Sequence, residues 1–324
     1  MPDVIPSCFG DHGSRRGTLG ARSVQNMVTC IYRTKLADEY RVISVTWCKG
    51  LMGNGLSVSL DHLSPQLTCY VDMKPWLFWK KQGSKALDLN GKRIDVIWDF
   101  SSAKFYGSPE PQACFFLAIS CKQEVLLLLG DMRQEALRRL QKKSVLIESI
   151  QLSRKEHMFG NRVYTTRAQF LENGGTHDIM IECQIGHERE SRLSVKVDKQ
   201  LVVQVKRLMW KFRGNQTIII DGIPIQVLWD VHDWLFSSCD GHAVFMFQTC
   251  AANKRPWLQA SGNLSSTLMQ GHGSHSFKHT ENYSLPEDLC SSVLEWPTST
   301  SFKGKELCLN SSGFTLLLYA WRNP

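Results

Sequence analysis

The sequence predicts a mainly β protein of two tandem, pseudo-repeated modules, each an antiparallel β-sandwich or half-barrel, with one connecting helix between them. Three observations support this class. Short β-branched and aromatic runs alternate with Gly, Asn and Asp, an internal repeat spans much of the chain, and one helix-like segment lies between the copies. A hydrophobic fraction of 43% with ten Trp residues is enough for packed cores.

The repeat is an ordered series of matches at two offsets. The segment Leu56–Asp61 returns as Leu193–Asp198, 137 positions later, and Trp98-Asp99 returns as Trp229-Asp230, 131 positions later. One insertion or deletion between the two blocks explains the change of offset. We therefore interpret the series as a duplication of one module.

Each copy contains a strand in which every second residue is apolar. This period places the alternating side chains on one buried face of a sheet. The positions are Ile94, Val96, Trp98 and Phe100 in the first copy, and Ile225, Val227, Trp229 and Val231 in the second. A turn pair that tolerates positive φ, Asn90-Gly91 or Asp221-Gly222, precedes each strand and predicts a hairpin.

Composition divides the chain into five segments. Residues 1–25 are predicted to be a flexible tail, 26–130 the first β module and 131–152 the connecting helix with a linker strand. Residues 153–250 together with 313–324 form the second β module, and 251–312 form a disordered Ser-rich insertion within it. The apolar run Phe314–Trp321 is therefore expected to be the last strand of the second module.

The connecting helix has recognisable start and end signals. Asp131 is expected to cap it, Gln134 to occupy its third position, and Ala136, Leu137 and Leu140 to face the core. Basic residues follow at its C-terminal end, where positive charge suits the helix dipole.

Motifs for catalysis and cofactors were sought and not found. The sequence has no GxSxG elbow, no Walker loop, no HExxH and no GxGxxG after a strand, so no catalytic residue and no cofactor is predicted. His272, His275 and His279 have metal-like spacing, but they lie in a Gly/Ser-rich segment, so no metal site is predicted either. An enzyme alternative remains at Asp230, His232 and Asp233, which could form an acid/base pair.

Cysteine usage and charge indicate a compartment. Eleven Cys residues occur without a CxxC pair, and several lie within apolar runs, as expected for reduced thiols. No secretory signal and no apolar run near the ~20 residues of a membrane span is visible. We expect the cytoplasm or nucleus. The net charge of +8 suits acidic partners but also occurs in many ordinary proteins.

Aromatic and basic residues are interleaved at equivalent places in the two copies. They are the candidate ligand-binding residues, namely Trp76, Trp79, Lys80 and Lys81 in the first copy, and Trp210, Lys211 and Arg213 in the second. This combination suits phosphate-bearing ligands, RNA or anionic lipid headgroups. The alternative is a strand that buries Trp in the core and keeps Lys and Arg outside, which the alternation in the second copy also fits.

The repeated Trp-Asp pairs, Trp98-Asp99 and Trp229-Asp230, are expected to be structural. A repeated carboxylate can belong to a site. At the end of a strand, however, an Asp more commonly accepts hydrogen bonds from turn amides, and this interpretation is favoured.

Several strings of the sequence resemble the plant family catalogued as domain of unknown function 868. They are Met27–Tyr32, Val45–Trp47 with Leu51–Val58, Val96–Asp99, Val227–Phe236 and Leu316–Trp321. The resemblance covers nearly the whole chain outside the tail and the Ser-rich segment. It implies a plant protein and brings no known activity, cofactor or catalytic residue.

These observations favour a non-enzymatic binding or scaffold protein. Its partner would be a protein or a small apolar or anionic ligand, and nucleic acid is disfavoured but not excluded. Two alternatives remain: a carrier that holds a lipid or small apolar molecule inside one module, and the enzyme with a site near Asp230, His232 and Asp233.

Overall fold

A computed structural model describes residues 24–50, 53–60, 68–73, 81–89, 91–140, 145–186, 190–237, 241–249 and 313–322. In these ranges the chain forms eighteen strands in three sheets and two short helices. The predicted class, mainly β with two tandem modules, is confirmed. Candidate residues Trp76, Trp79, Lys80, His272, His275 and His279 lie outside the described residues, as do the predicted tail up to residue 23 and the Ser-rich segment 251–312.

The first module contains two antiparallel meanders. One consists of β1 (Val24–Leu36), β2 (Glu39–Gly50), β3 (Gly53–Leu60) and β4 (Thr68–Met73). The other consists of β5 (Gln82–Leu89), β6 (Lys92–Asp99), β7 (Phe116–Cys121) and β8 (Glu124–Leu129). Buried residues from both meanders form one hydrophobic core, in which Trp47 meets the rings of Phe100 and Phe115 edge-on.

Three elements lead to the second module: α1 (Arg133–Arg139), β9 (Val145–Leu146) and β10 (Ser149–Gly160). The predicted helix is present, but its start differs from the prediction. Met132 is the N-cap, with no side-chain capping bond. Asp131 instead accepts hydrogen bonds from the backbone N–H groups of Cys114 and Phe115, which lower its pKa. Ala136 and Leu140 are buried as expected, whereas Leu137 is 39% exposed.

The second module follows the same strand order as the first. One meander consists of β11 (Val163–Gln169), β12 (Thr176–Gln184), β13 (Arg192–Val197) and β14 (Gln200–Lys206). The other consists of β15 (Arg213–Ile220), β16 (Ile223–Asp230), β17 (His242–Thr249) and β18 (Thr315–Arg322), with α2 (His232–Phe236) between β16 and β17. β18 pairs with β17, which is where the sequence places the C-terminal strand.

Strand β10 joins the modules, because it pairs antiparallel with β1 and parallel with β18. The result is one nine-stranded sheet that runs through both modules. A buried ionic network holds the β1–β10 pair. Arg154 Nη1 lies 2.7 Å from Glu110 Oε2, and Gln25 Nε2 donates to the fully buried Glu156 at 2.6 Å. Arg154 also pairs with Glu156 at 2.5 Å, so the fully buried carboxylate has a cationic partner.

The predicted alternation in the repeated strands is confirmed. All eight apolar positions, Ile94, Val96, Trp98, Phe100, Ile225, Val227, Trp229 and Val231, are at most 7% exposed. The turn of the second copy also has the predicted geometry, with positive φ at both Asp221 and Gly222. The hairpin of the second copy is therefore fixed by a local signal that the sequence displays.

Candidate functional site

One end of the second module brings together most of the residues that the sequence singled out in that copy. It is formed by residues 160–162, 185–186, 190–192, 206–213, 230–237, 241–242 and 322, where strands from both meanders begin or end. We call it the basic end. Its centre is the turn between β14 and β15, residues 207–212. This turn contains Trp210 and Lys211 and connects the two meanders.

The turn at Trp210 is held by backbone hydrogen bonds. The N–H groups of Trp210 and Lys211 both donate to the carbonyl of Arg207, at 2.9 and 3.1 Å, and Leu208 N–H donates to the carbonyl of Ser191. Arg207 itself has a positive φ of 56°. The bond to Ser191 ties the turn to the residue that precedes β13. Together the three bonds fix the backbone position of Trp210.

Trp210 is exposed and does not lie in the core. The interpretation as a strand with Trp inside is wrong at this position, because residues 207–210 form a turn and the Trp210 side chain is 73% exposed. Lys211 and Arg213 are exposed as well, and Phe212 alone turns partly inward. An exposed Trp beside exposed cations is therefore a surface feature of this turn.

Trp229 supports the turn from below. Its indole N–H donates to the carbonyl of Lys211 at 3.1 Å, and Val231 N–H donates to the carbonyl of Phe212. The indole ring lies over Gly214, its partner on β15, so closely that an added Cβ there would lie 2.9 Å from Cε2 and closer still to Cζ2. The repeated Gly and Trp thus form one packing unit, since only Gly leaves room for the ring.

The first copy repeats this unit at Gly83 and Trp98. An added Cβ on Gly83 would lie 2.6 Å from Cζ2 of Trp98. The candidate residue Lys81 is exposed, and its carbonyl accepts a hydrogen bond from Phe100 N–H. The predicted grouping of Lys81 with Trp76, Trp79 and Lys80 stays a prediction, because those three residues lie outside the described structure.

The repeated carboxylates bind turn amides in both copies. Asp99 Oδ1 accepts the N–H of Ser101 at 3.0 Å, and Asp230 Oδ1 accepts the N–H of His232 at 3.0 Å. Their second oxygens face arginines, at 2.8 Å from Arg139 Nη2 and at 2.7 Å from Arg213 Nε. This geometry matches the turn-stabilising role favoured for Asp99 and Asp230.

Exposed cations outnumber the carboxylates at the basic end. Seven exposed basic side chains lie there, Arg162, Arg192, Lys206, Arg207, Lys211, Arg213 and Arg322, against three carboxylates, Glu190, Asp230 and Asp233. Within the described part of the chain, only Arg213 of the seven has an ion-pair partner, Asp230, while Arg322 lies over the Trp234 ring at 4.2 Å. Arg192 and Lys206 are direct cross-strand neighbours, and like charges placed opposite each other are unfavourable unless an anion lies nearby.

Three exposed apolar side chains accompany these cations. Trp210, Phe236 and Ile185 are 73%, 49% and 38% exposed, and each comes from a different loop of this end. Phe236 is backed by a ring cluster in which its centroid lies 6.0 Å from that of Phe212 and 5.1 Å from that of His232. Two of these rings, His232 and Phe236, lie on α2. The sequence did not predict this helix, because it has only five residues.

The residues of the enzyme alternative also lie at this end. His232 Nδ1 is 2.9 Å from Asp233 Oδ1, and this hydrogen bond lowers the pKa of Asp233. The two side chains are 43% and 59% exposed, while the carboxylate of Asp230 faces Arg213 and the His232 backbone. The pair is therefore open to solvent, and neither hollow described below is lined by it.

A row of rings on the outer face of the nine-stranded sheet was also missed. Neighbouring rings on β10, β17 and β18 lie 5.0–6.1 Å apart, and the row consists of His157, Phe159, His242, Tyr319 and Trp321. Burial lowers the pKa of His157 to about 3 and also lowers that of His242, so both imidazoles are neutral near pH 7. The sequence signal that could have predicted this row is the alternation of Tyr319 and Trp321 with Leu318 and Ala320, which are buried.

Large aromatic side chains are buried in both module cores. Trp47 and Phe116 are at most 1% exposed in the first module, as are Trp234 and Phe245 in the second. Two shallow hollows lie beside α1, one lined by residues including Arg133 and Leu146 and the other by residues including Met132 and Glu135. Neither lies inside a module core or at the basic end.

The described residues contain neither a cluster of metal-binding side chains nor a membrane-spanning helix. Among the described residues, no group of three His, Cys, Asp or Glu side chains lies close enough to hold a metal ion. The helices in the same ranges have seven and five residues, so neither is long enough to cross a membrane.

Comparison with known proteins gives a family and no activity. The family model of a plant protein of unknown function, DUF868, matches residues 23–322, which is most of the chain. Neither the curated proteins nor the solved structures contain a match. The match includes the whole described structure, both modules and the basic end. The chain therefore belongs to the DUF868 family of plant proteins of unknown function.

Proposed function

We propose that this chain is a non-catalytic binding protein and that its basic end binds a phosphate-bearing partner. The observation that carries the proposal is the exposed Trp210 among basic side chains, of which only Arg213 is paired in the described structure. Phosphate oxygens accept hydrogen bonds from Lys and Arg, and an exposed ring adds contact area beside them.

Electrostatics and shape both support a surface-bound partner. Cations that lack carboxylate partners within the described structure can pair with an external anion without first breaking an ion pair seen there. The two hollows beside α1 lie elsewhere, and each module core is a cluster of buried hydrophobic side chains, which favours a partner that contacts the surface over a ligand held inside a module.

The test is binding of long-chain inorganic polyphosphate, measured by isothermal titration calorimetry at low salt. A variant with Lys206→Gln, Arg207→Gln and Lys211→Gln removes three cations from the basic end. We expect it to bind at least about tenfold more weakly than the wild type, and wild-type binding to fall steeply with added salt.

The matched control removes the same number of charges from exposed positions of the first module, Lys85→Gln, Lys92→Gln and Lys122→Gln. Both variants have the same net charge, so a non-specific attraction would weaken equally in both. Equal loss in the two variants, or no binding by the wild type, would refute the proposal.

A further inference from the structure

The basic end combines two properties that a bilayer surface recognises. Its seven exposed cations suit anionic headgroups, and three of its connections between strands each expose an apolar side chain, namely Ile185, Trp210 and Phe236. Positive side chains near a membrane are attracted by anionic lipids, and Trp is favoured at the headgroup level because its ring is apolar and its N–H is polar.

We infer that the phosphate-bearing partner is an anionic lipid bilayer, on which the basic end docks with Trp210 and Phe236 in the headgroup layer. The inference rests on the proposed function, because it names the partner of the same site. It concerns attachment to one face of a membrane and involves no membrane-crossing segment.

The arrangement of the apolar side chains favours a bilayer over a nucleic acid. A single-stranded nucleic acid is bound by rings spaced along a basic groove, so that successive bases stack. Here the exposed apolar side chains lie at the same end of the module, in the connections between strands, and Ile185 has no ring to stack. A cluster at one end of a module can contact a flat surface, whereas it offers little to a linear chain.

The same end also explains how Trp210 would be held for insertion. The turn is fixed by its bonds to the Arg207 carbonyl and by the Trp229 N–H on the Lys211 carbonyl. A ring on a fixed turn loses less conformational freedom on binding than one on a mobile loop. The cations at 206, 207 and 211 flank it and would meet headgroup phosphates when the ring enters the interface.

The experiment is co-sedimentation of the full-length protein with vesicles of phosphatidylcholine containing about 30% phosphatidylserine, and with pure phosphatidylcholine vesicles. We expect binding to the anionic vesicles alone, reduced by salt. Trp210→Ala and the triple variant at 206, 207 and 211 should each weaken it at least about tenfold. The control Leu201→Ala, which removes a 52% exposed side chain at the opposite end of the module, should bind like the wild type.

A second measurement locates the ring. Phosphatidylcholine brominated on its acyl chains quenches Trp fluorescence at short range, and Trp210→Phe removes one of the ten Trp residues. In anionic vesicles, the quenching of the wild type should exceed that of Trp210→Phe. Equal quenching in both proteins would overturn the insertion of Trp210.

The outcomes separate this inference from the proposed function. If the wild type binds polyphosphate but not anionic vesicles, the bilayer inference is wrong and the proposed function stands. If an oligonucleotide binds far more tightly than the vesicles and loses affinity with Trp210→Ala, nucleic acid replaces the bilayer as partner. Absence of binding to all three probes overturns both.

Discussion

At one end of the second module, the turns carry exposed cations around Trp210, whereas at the other end they carry carboxylates around His177. We call the latter the acidic end; it consists of turns 170–175, 198–199 and 221–222 with the adjoining strand residues. Its exposed carboxylates are Glu172, Asp178, Asp198 and Asp221. Both ends are built from the same strands, which isolates the effect of the turn residues.

Two carboxylates of the acidic end, Asp198 and Asp221, are paired within the fold. His177 Nδ1 lies 2.7 Å from Asp198 Oδ2, and His177 Nε2 lies 2.9 Å from Asp221 Oδ2. This clamp joins a strand of one meander to a turn of the other, because His177 is on β12 and Asp221 connects β15 to β16. The cations of the basic end lack such partners in the described structure, apart from Arg213. Opposite charge at the two ends therefore corresponds to internal pairing at the acidic end and, in our proposal, to external binding at the basic end.

The largest expected effect is a loss of stability on replacing a glycine by alanine. It should differ between two glycines of the same hairpin, one at each end of the module. Gly214→Ala would force a Cβ into the Trp229 ring, whereas Gly222 has nothing within 4 Å and its alanine suffers only from a φ of 76°. We expect Gly214→Ala to lower the free energy of unfolding by about 2–3 kcal/mol and Gly222→Ala by about 1 kcal/mol. Urea unfolding monitored by circular dichroism measures both.

A double variant tests the stated cause. Trp229→Phe shortens the ring that occupies the space over Gly214, so Gly214→Ala should cost less in that background than in the wild type. Additive losses would show that the clash with Trp229 is not the reason.

A smaller effect, and one that depends on pH, is expected at the acidic end. The hydrogen bond to Asp198, and then that to Asp221, raise the pKa of His177 above 6.5, and bonding to His177 lowers the pKa values of both carboxyls below 3.8. The raised pKa stabilises the fold below pH 6.5, and this contribution is lost as pH rises through the folded value. The lowered values stabilise it above pH 3.8 and are lost in acid.

The clamp is therefore strongest between about pH 4 and 6.5. We expect His177→Gln to lower the free energy of unfolding by about 1–2 kcal/mol at about pH 5.5, and by less at about pH 8.5. The comparison is His232→Gln at the basic end, where the ring has a single carboxylate partner and is 43% exposed. A pH-independent loss in His177→Gln, or an equal one in His232→Gln, would contradict the clamp.

Local signals in the sequence predicted much of the fold. The period of two in Ile94–Phe100 and Ile225–Val231 gave the buried faces, and Asp221-Gly222 gave a turn with positive φ. The capping of α1 was wrong because Asp131 binds amides of Cys114 and Phe115, which are distant in sequence. No local pattern reports such a competing partner.

The candidate site was predicted in part for the same reason. Interleaved Trp and basic residues identified Trp210, Lys211 and Arg213 as candidates. Alternation alone did not decide whether the Trp210 side chain faces the core or the solvent. The deciding contacts are non-local: Leu208 N–H reaches Ser191, and Trp229 N–H reaches the Lys211 carbonyl. Ile185 and Phe236 were not foreseen, because their proximity to this turn depends on how the two meanders pack.

The smallest expected effect on stability is that of Trp210→Ala, and this variant best distinguishes a role in binding from a role in folding. Trp210→Ala should change the free energy of unfolding by less than about 0.5 kcal/mol, since a side chain that is 73% exposed contributes little packing. Leu201→Ala, at the acidic end and 52% exposed, should be equally neutral. The two variants should then differ only in partner binding, which Trp210→Ala alone weakens. If Trp210→Ala costs more than about 1 kcal/mol in urea unfolding, Trp210 has a structural role and its loss of binding would no longer report on a surface contact.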